Sequence, residues 1–162
     1  SIRCLKLEKL NLATFDTKNV ENMESMFESC ELVTSLDISK FDTGEVTSMR
    51  NMFASMNSLK ELDVSKFDTK YVKDISKMFY HCKELKNIDT SNFNTKYTTD
   101  MSGLFTNCSS LTSLSLKNFD TNQVTNMGNM FSNCSSLIYL DISSFVTNKV
   151  KSLLICFKIV KN

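Results

Sequence analysis

The sequence predicts an α/β repeat solenoid: right-handed coils stacked in one direction, with parallel strands on one face and short helices on the other. Three observations carry that prediction. All 12 phenylalanines fall into two columns, Phe15, Phe41, Phe67, Phe93, Phe119, Phe145 and Phe27, Phe53, Phe79, Phe105, Phe131, Phe157, and both columns step by 26 residues. Aliphatic columns keep the same step, among them Leu10, Leu36, Leu62, Ile88, Leu114, Leu140 and Val20, Val46, Val72, Thr98, Val124, Val150. No insertion or linker interrupts the register, which is the mark of a repeat architecture.

Starting at Leu7, the chain divides into six units, 7–32, 33–58, 59–84, 85–110, 111–136 and 137–162, forming one solenoid segment. Within unit three, Leu59, Leu62 and Val64 follow L-x-x-L-x-V, the strand signature of leucine-rich repeats. A strand at Leu62-Asp63-Val64 would bury Leu62 and Val64 and expose Asp63, because side chains alternate along a strand. Phe67 then turns the chain into the core. Asp68-Thr69 offers side-chain oxygens ahead of an apolar pattern, which reads as a helix N-cap. Val72, Ile75, Met78, Phe79 and Cys82 follow at the spacing of one helical face. One unit buries too little to stand alone, so its neighbours must complete the core. The last unit departs from the pattern: Val146 stands where other units carry Asp or Asn, and Leu153-Leu154-Ile155-Cys156-Phe157 is unusually apolar. It reads as a terminal cap or as an assembly face. Nothing at residues 1–6 resembles a cap, so the expectation is a piece of a longer protein, with further repeats upstream or end-to-end self-association.

Composition narrows the partners. Lys plus Arg number 19 and Asp plus Glu 18, a net charge of +1. A nucleic-acid partner would require a basic face. No apolar run reaches the ~18 residues of a membrane-spanning helix.

Segments such as Leu36-Asp37-Ile38-Ser39-Lys40-Phe41-Asp42-Thr43, Val124-Thr125-Asn126-Met127-Gly128-Asn129-Met130-Phe131 and Cys134-Ser135-Ser136-Leu137 resemble the BspA-like leucine-rich repeat surface proteins. The resemblance covers essentially the whole chain and weakens in the last unit. It implies a cell-surface or secreted location and a part in adhesion or partner binding. It implies no catalytic residues and no cofactor.

Candidate chemistry is sparse. Cys4, Cys30, Cys82, Cys108 and Cys134 share one column, with Met56 in the remaining place. A position that accepts Met is apolar, so buried free thiols are expected rather than disulfides. The outward strand column, Asn11, Asp37, Asp63, Asp89, Ser115, Asp141, is flanked by Ser39, Ser65, Ser91 and Ser143. It reads either as a cation- or ligand-binding stripe or as carboxylates satisfied by Ser hydroxyls, Lys and water. A second column, Asp16, Asp42, Asp68, Asn94, Asp120, tolerates Asn and suits turns. Every Asp in a repeated column has nearly the same surroundings, whereas acid–base catalysis needs two different ones. His81, the only histidine, reads as surface decoration, and the Asn107-Cys108-Ser109 and Asn133-Cys134-Ser135 sequons arise from the repeat itself. The resulting expectation is a non-enzymatic scaffold that binds protein or glycan through its strand face. The face is represented by Asp37, Asp63, Asp89 and Asp141, with Glu61 and Tyr139 breaking the periodicity. The alternative is a structural solenoid that contacts a larger assembly by its ends and convex helices.

Overall fold

The computed structural model describes residues 7–153. The coils stack in register, and hydrogen bonds between them join residues 25 or 26 apart all along the chain. Among the described residues both Phe columns line the core except at Phe15, which is exposed. Phe27, Phe53, Phe79, Phe105 and Phe131 form a continuous stack, with ring centroids 5.7, 5.8, 5.5 and 6.1 Å apart and planes within 9° of parallel. Phe41, Phe67, Phe93 and Phe119 are buried beside them. The Met and Leu columns fill the remaining interior, Met23, Met49, Ile75, Met101 and Met127 all being buried.

The expected helices are not formed: there is no α-helix among the described residues. The segment after each Asp-Thr pair is instead a ribbon of turns in which backbone N–H groups alternate between two kinds of partner. In the first coil Met23, Ser25, Phe27 and Ser29 donate across to Ser48, Arg50, Met52 and Ala54 of the next coil. Met26, Glu28 and Cys30 donate three residues back, to Met23, Ser25 and Phe27. The chain achieves this by entering the left-handed region twice per coil, at Ser25 and Ser29, Asn51 and Ser55, Lys77 and His81, Gly103 and Asn107, Asn129 and Asn133. A helix would consume these donors within its own turns and would hold neighbouring coils about 8–10 Å apart. Rings stacked at 5.5–6.1 Å require the closer spacing that a β-type ladder provides. The inward columns are nonetheless those expected, because a ribbon of three-residue turns also brings positions i, i+3 and i+4 to one side.

The strand face is also less regular than expected. Among the described residues two strands are formed, β1 (Ser113–Ser115) and β2 (Tyr139–Asp141), paired in parallel with Ser115 opposite Asp141. The equivalent segment Leu62-Asp63-Val64 is not laddered to its neighbours. The outward column does not account for the difference, since the ladder is open between Asp89 and Ser115 as well as between Asp37, Asp63 and Asp89.

A ladder of threonine hydroxyls ties coil to coil. Thr17 Oγ1 donates to the Asp42 carbonyl at 2.9 Å and accepts from the Asp42 N–H at 2.8 Å. Thr43, Thr69 and Thr121 repeat the paired contact on Asp68, Asn94 and Val146. These threonines are buried. The expected N-cap is therefore corrected: Thr satisfies the next coil's backbone rather than a helix end. Asp16, Asp42, Asp68, Asn94 and Asp120 each accept from the N–H two residues on, the turn role expected of them.

Candidate functional site

On the strand face, Asp37, Glu61, Asp63 and Asp89 come together around an open groove of about 420 Å3, floored by Leu36, Leu62 and Ile88. Four of the six residues singled out from sequence thus share one depression. Asp141 and Tyr139 lie farther along the face on β2, where Tyr139 is 56% and its neighbour Ile138 82% exposed. The groove exists where the strand ladder is open, so its walls are backbone as well as side chain.

The carboxylates have partners. Asp37, Asp63, Asp89 and Asp141 accept the N–H of Ser39, Ser65, Ser91 and Ser143 at 2.8–3.0 Å. The hydroxyl of the same serine, and then this N–H, hold each carboxyl below its ordinary range. At Asp89 the charge of Asp63 acts in the opposite sense. The stripe is therefore ionised at neutral pH, with each Asp oriented by its own turn. That geometry favours the Ser-satisfied reading of the column over a cation cage. Among the described residues no group of three or more His, Cys, Asp or Glu side chains is placed to hold a metal ion.

The thiols are core groups. Cys30 is buried, and Cys82, Cys108 and Cys134 carry free thiols. The last three donate to the carbonyls of Phe53, Phe79 and Phe105 in the preceding coil at 3.0–3.2 Å. Burial pushes Cys82 up to about 12 and Cys134 to about 11, which suppresses the nucleophilic thiolate. Cys4 and Cys156 lie outside the described residues, as does most of the apolar run 153–157.

His81 is more than decoration. Its Nε2 lies 2.6 Å from Asn107 Nδ2, and Asn133 Nδ2 donates to Asn107 Oδ1 at 2.9 Å, so the three form a ladder across coils. Its ring rests on Tyr80, centroids 4.1 Å apart. Both sequon asparagines are members of this ladder. Sequence reasoning missed it because the column that contains it, Ser29, Ser55, His81, Asn107 and Asn133, shares no obvious chemistry except the left-handed backbone.

The family model described as "Mycoplasma protein of unknown function, DUF285" matches residues 3–115 and 85–162. The chain belongs to this family. Its repeat is of the BspA-like leucine-rich type. Two solved structures are similar to this DUF285 chain. One is a leucine rich cell surface protein from Faecalibacterium prausnitzii, at 18% identity and a TM-score of 0.48, covering 76% of this chain and 30% of that one. The other is a leucine-rich repeat protein from Bacteroides ovatus, at 18% identity and a TM-score of 0.43, covering 83% of this chain and 40% of that one. The DUF285 chain thus spans less than half the length of either. No curated protein matches it.

Proposed function

We propose that the chain is a non-enzymatic, surface-displayed or secreted recognition scaffold whose strand face takes a partner at the Asp37–Glu61–Asp63–Asp89 groove. The observation that supports this is the open ladder. Backbone groups left without coil-to-coil partners lie beside carboxylates held ionised by their serines. Of the two partner classes, protein and glycan, this groove suits a polypeptide segment that brings cationic side chains and amide donors. Such a segment gains charge-assisted hydrogen bonds and covers Leu36, Leu62 and Ile88. The exposed Ile138 and Tyr139 extend the same face and give a larger partner an apolar anchor.

The test is Asp63→Ser, which copies the Ser115 position and removes the central charge. Beads carrying the full chain are presented with immobilised lysine-rich peptides, neutral peptides and neutral glycans. Selective retention on the basic peptide, lost in Asp63→Ser and weakened by salt, supports the reading. Retention that ignores both the substitution and the salt sinks it.

A further inference from the structure

A second periodicity break lies on a different side of the coil. The column Asn19, Glu45, Tyr71, Tyr97, Gln123, Lys149 is polar at every position except two adjacent ones. Tyr71 and Tyr97 are 45% and 46% exposed, while the phenylalanines between them in sequence, Phe79 and Phe93, are buried. With Glu21, Glu45, Thr47 and Lys73 they line an open groove of about 500 Å3. The backbone beneath is held in register: Lys73 N–H donates to the Thr47 carbonyl and Thr99 N–H to the Lys73 carbonyl, both at 2.8 Å. Each ring is steadied by its preceding lysine, Lys70 Nζ lying 5.0 Å from the Tyr71 centroid and Lys96 Nζ 5.6 Å from that of Tyr97.

We infer that Tyr71 and Tyr97 form a stacking platform for a linear, uncharged polysaccharide, independent of the strand-face groove. Two rings repeat at the rise of one coil, about 4.8 Å, which is on the order of the length of one hexopyranose unit. A sugar chain running along the solenoid axis can therefore lay one C–H face on each ring. An aromatic platform supplies apolar area with a polar rim at little cost in side-chain entropy. Glu21 and Glu45 accept from sugar hydroxyls, Lys73 donates to them, and Thr47 Oγ1, whose proton goes to the Glu21 carbonyl at 3.2 Å, offers a further acceptor. The carboxylates and ammoniums around the groove offset one another, which disfavours a strongly charged ligand such as a nucleic acid or a uronic-acid polymer. A polypeptide would have no reason to match a one-ring-per-coil spacing.

The test is titration of the full chain with cello-, manno- and laminari-oligosaccharides of increasing length, followed by tyrosine fluorescence and calorimetry. Binding should rise steeply from one sugar unit to those long enough to span both rings, and then level off. Tyr71→Leu and Tyr97→Leu should each weaken it about tenfold, Tyr71→Phe should restore most of it, and Asp63→Ser should leave it unchanged. Absence of binding to all three series overturns the inference, and so does binding that survives both leucine substitutions. Capture of basic peptides by Tyr71 and Tyr97 in place of sugars also overturns it.

Discussion

Thr69 and Thr90 lie in adjacent coils, are 2% and 1% exposed, and should respond to the same substitution with opposite signs. Thr69 Oγ1 donates to the Asn94 carbonyl at 3.1 Å and accepts the Asn94 N–H at 2.7 Å. Thr69→Val removes both bonds and leaves a backbone N–H without its acceptor. A lost hydrogen bond is worth about 1 kcal/mol and an orphaned buried group about 1–3 kcal/mol, so the loss should be ~2–4 kcal/mol. The hydroxyl of Thr90 is buried with no partner. It stands in the column of Leu12, Ile38, Val64 and Leu116, all apolar and buried. Thr90→Val replaces an unsatisfied hydroxyl with a methyl of nearly the same shape, as Val64 already does one coil earlier. The gain should be ~1–2 kcal/mol. Urea denaturation followed by circular dichroism measures both, and thermal midpoints should move by about 2–4 °C per kcal/mol in a chain of this size. If Thr90→Val lowers stability as Thr69→Val does, then the two hydroxyls are equivalent and the distinction between bridging and orphaned threonine is wrong.

Phe79→Ala, in the middle of the ring stack, should cost ~3–5 kcal/mol and broaden the melting transition, since it unseats contacts on both sides. Asp37, Asp63, Asp89 and Asp141 have native pKa values below the usual 3.8, so their contribution is present above that value and is lost as pH falls through the native ones. Acid titration should therefore show the steepest loss of stability below about pH 4, and Ser65→Ala should shift that loss toward higher pH. Desolvation, and then the charge of Lys83, lowers the pKa of His81, whose neutral ring faces Asn107. The unfolded chain binds the proton more readily, so stability should fall as pH drops below about 6.5. His81→Asn should abolish that component while keeping a bond to Asn107. It should also add a few tenths of a kcal/mol, because Asn tolerates the left-handed backbone better (φ 61° at His81); hydrogen exchange of the Asn107 region at two pH values reads both effects.

The period and the inward columns were legible in the sequence because burial acts at every coil and leaves a mark every 26 residues. The secondary structure was less legible. Val72, Ile75, Met78, Phe79 and Cys82 have helical spacing, but a turn ribbon puts the same positions inside. The distinguishing sign was the pair of outward positions four apart, Ser25 and Ser29 through Asn129 and Asn133, rich in residues that adopt positive φ and poor in helix formers. The acidic column was found, and its pairing with Ser39, Ser65, Ser91 and Ser143 was among the readings it allowed. That the strand ladder would stay open along Asp37, Asp63 and Asp89 was not foreseen, because pairing depends on what lies across the gap rather than on any one unit. Tyr71 and Tyr97 were passed over for a related reason. Two residues within a six-membered column look like drift until the fold shows that they are adjacent and exposed.

Each junction between coils has a direction. From the earlier coil a threonine hydroxyl reaches forward to the next Asp, Asn or Val backbone. From the later coil a cysteine thiol reaches back to a phenylalanine carbonyl, and Asn92 and Asn118 amides reach back to Val64, Phe67, Thr90 and Phe93. Because every junction uses nearly the same contacts, a duplicated or deleted 26-residue stretch would rejoin the array with its bonds intact. Unequal recombination could thus lengthen or shorten such a protein in whole coils without first having to invent a new core. The same economy brings a hazard: a stack severed between coils bears a leading face and a trailing face that fit each other, so fragments could anneal head to tail into threads.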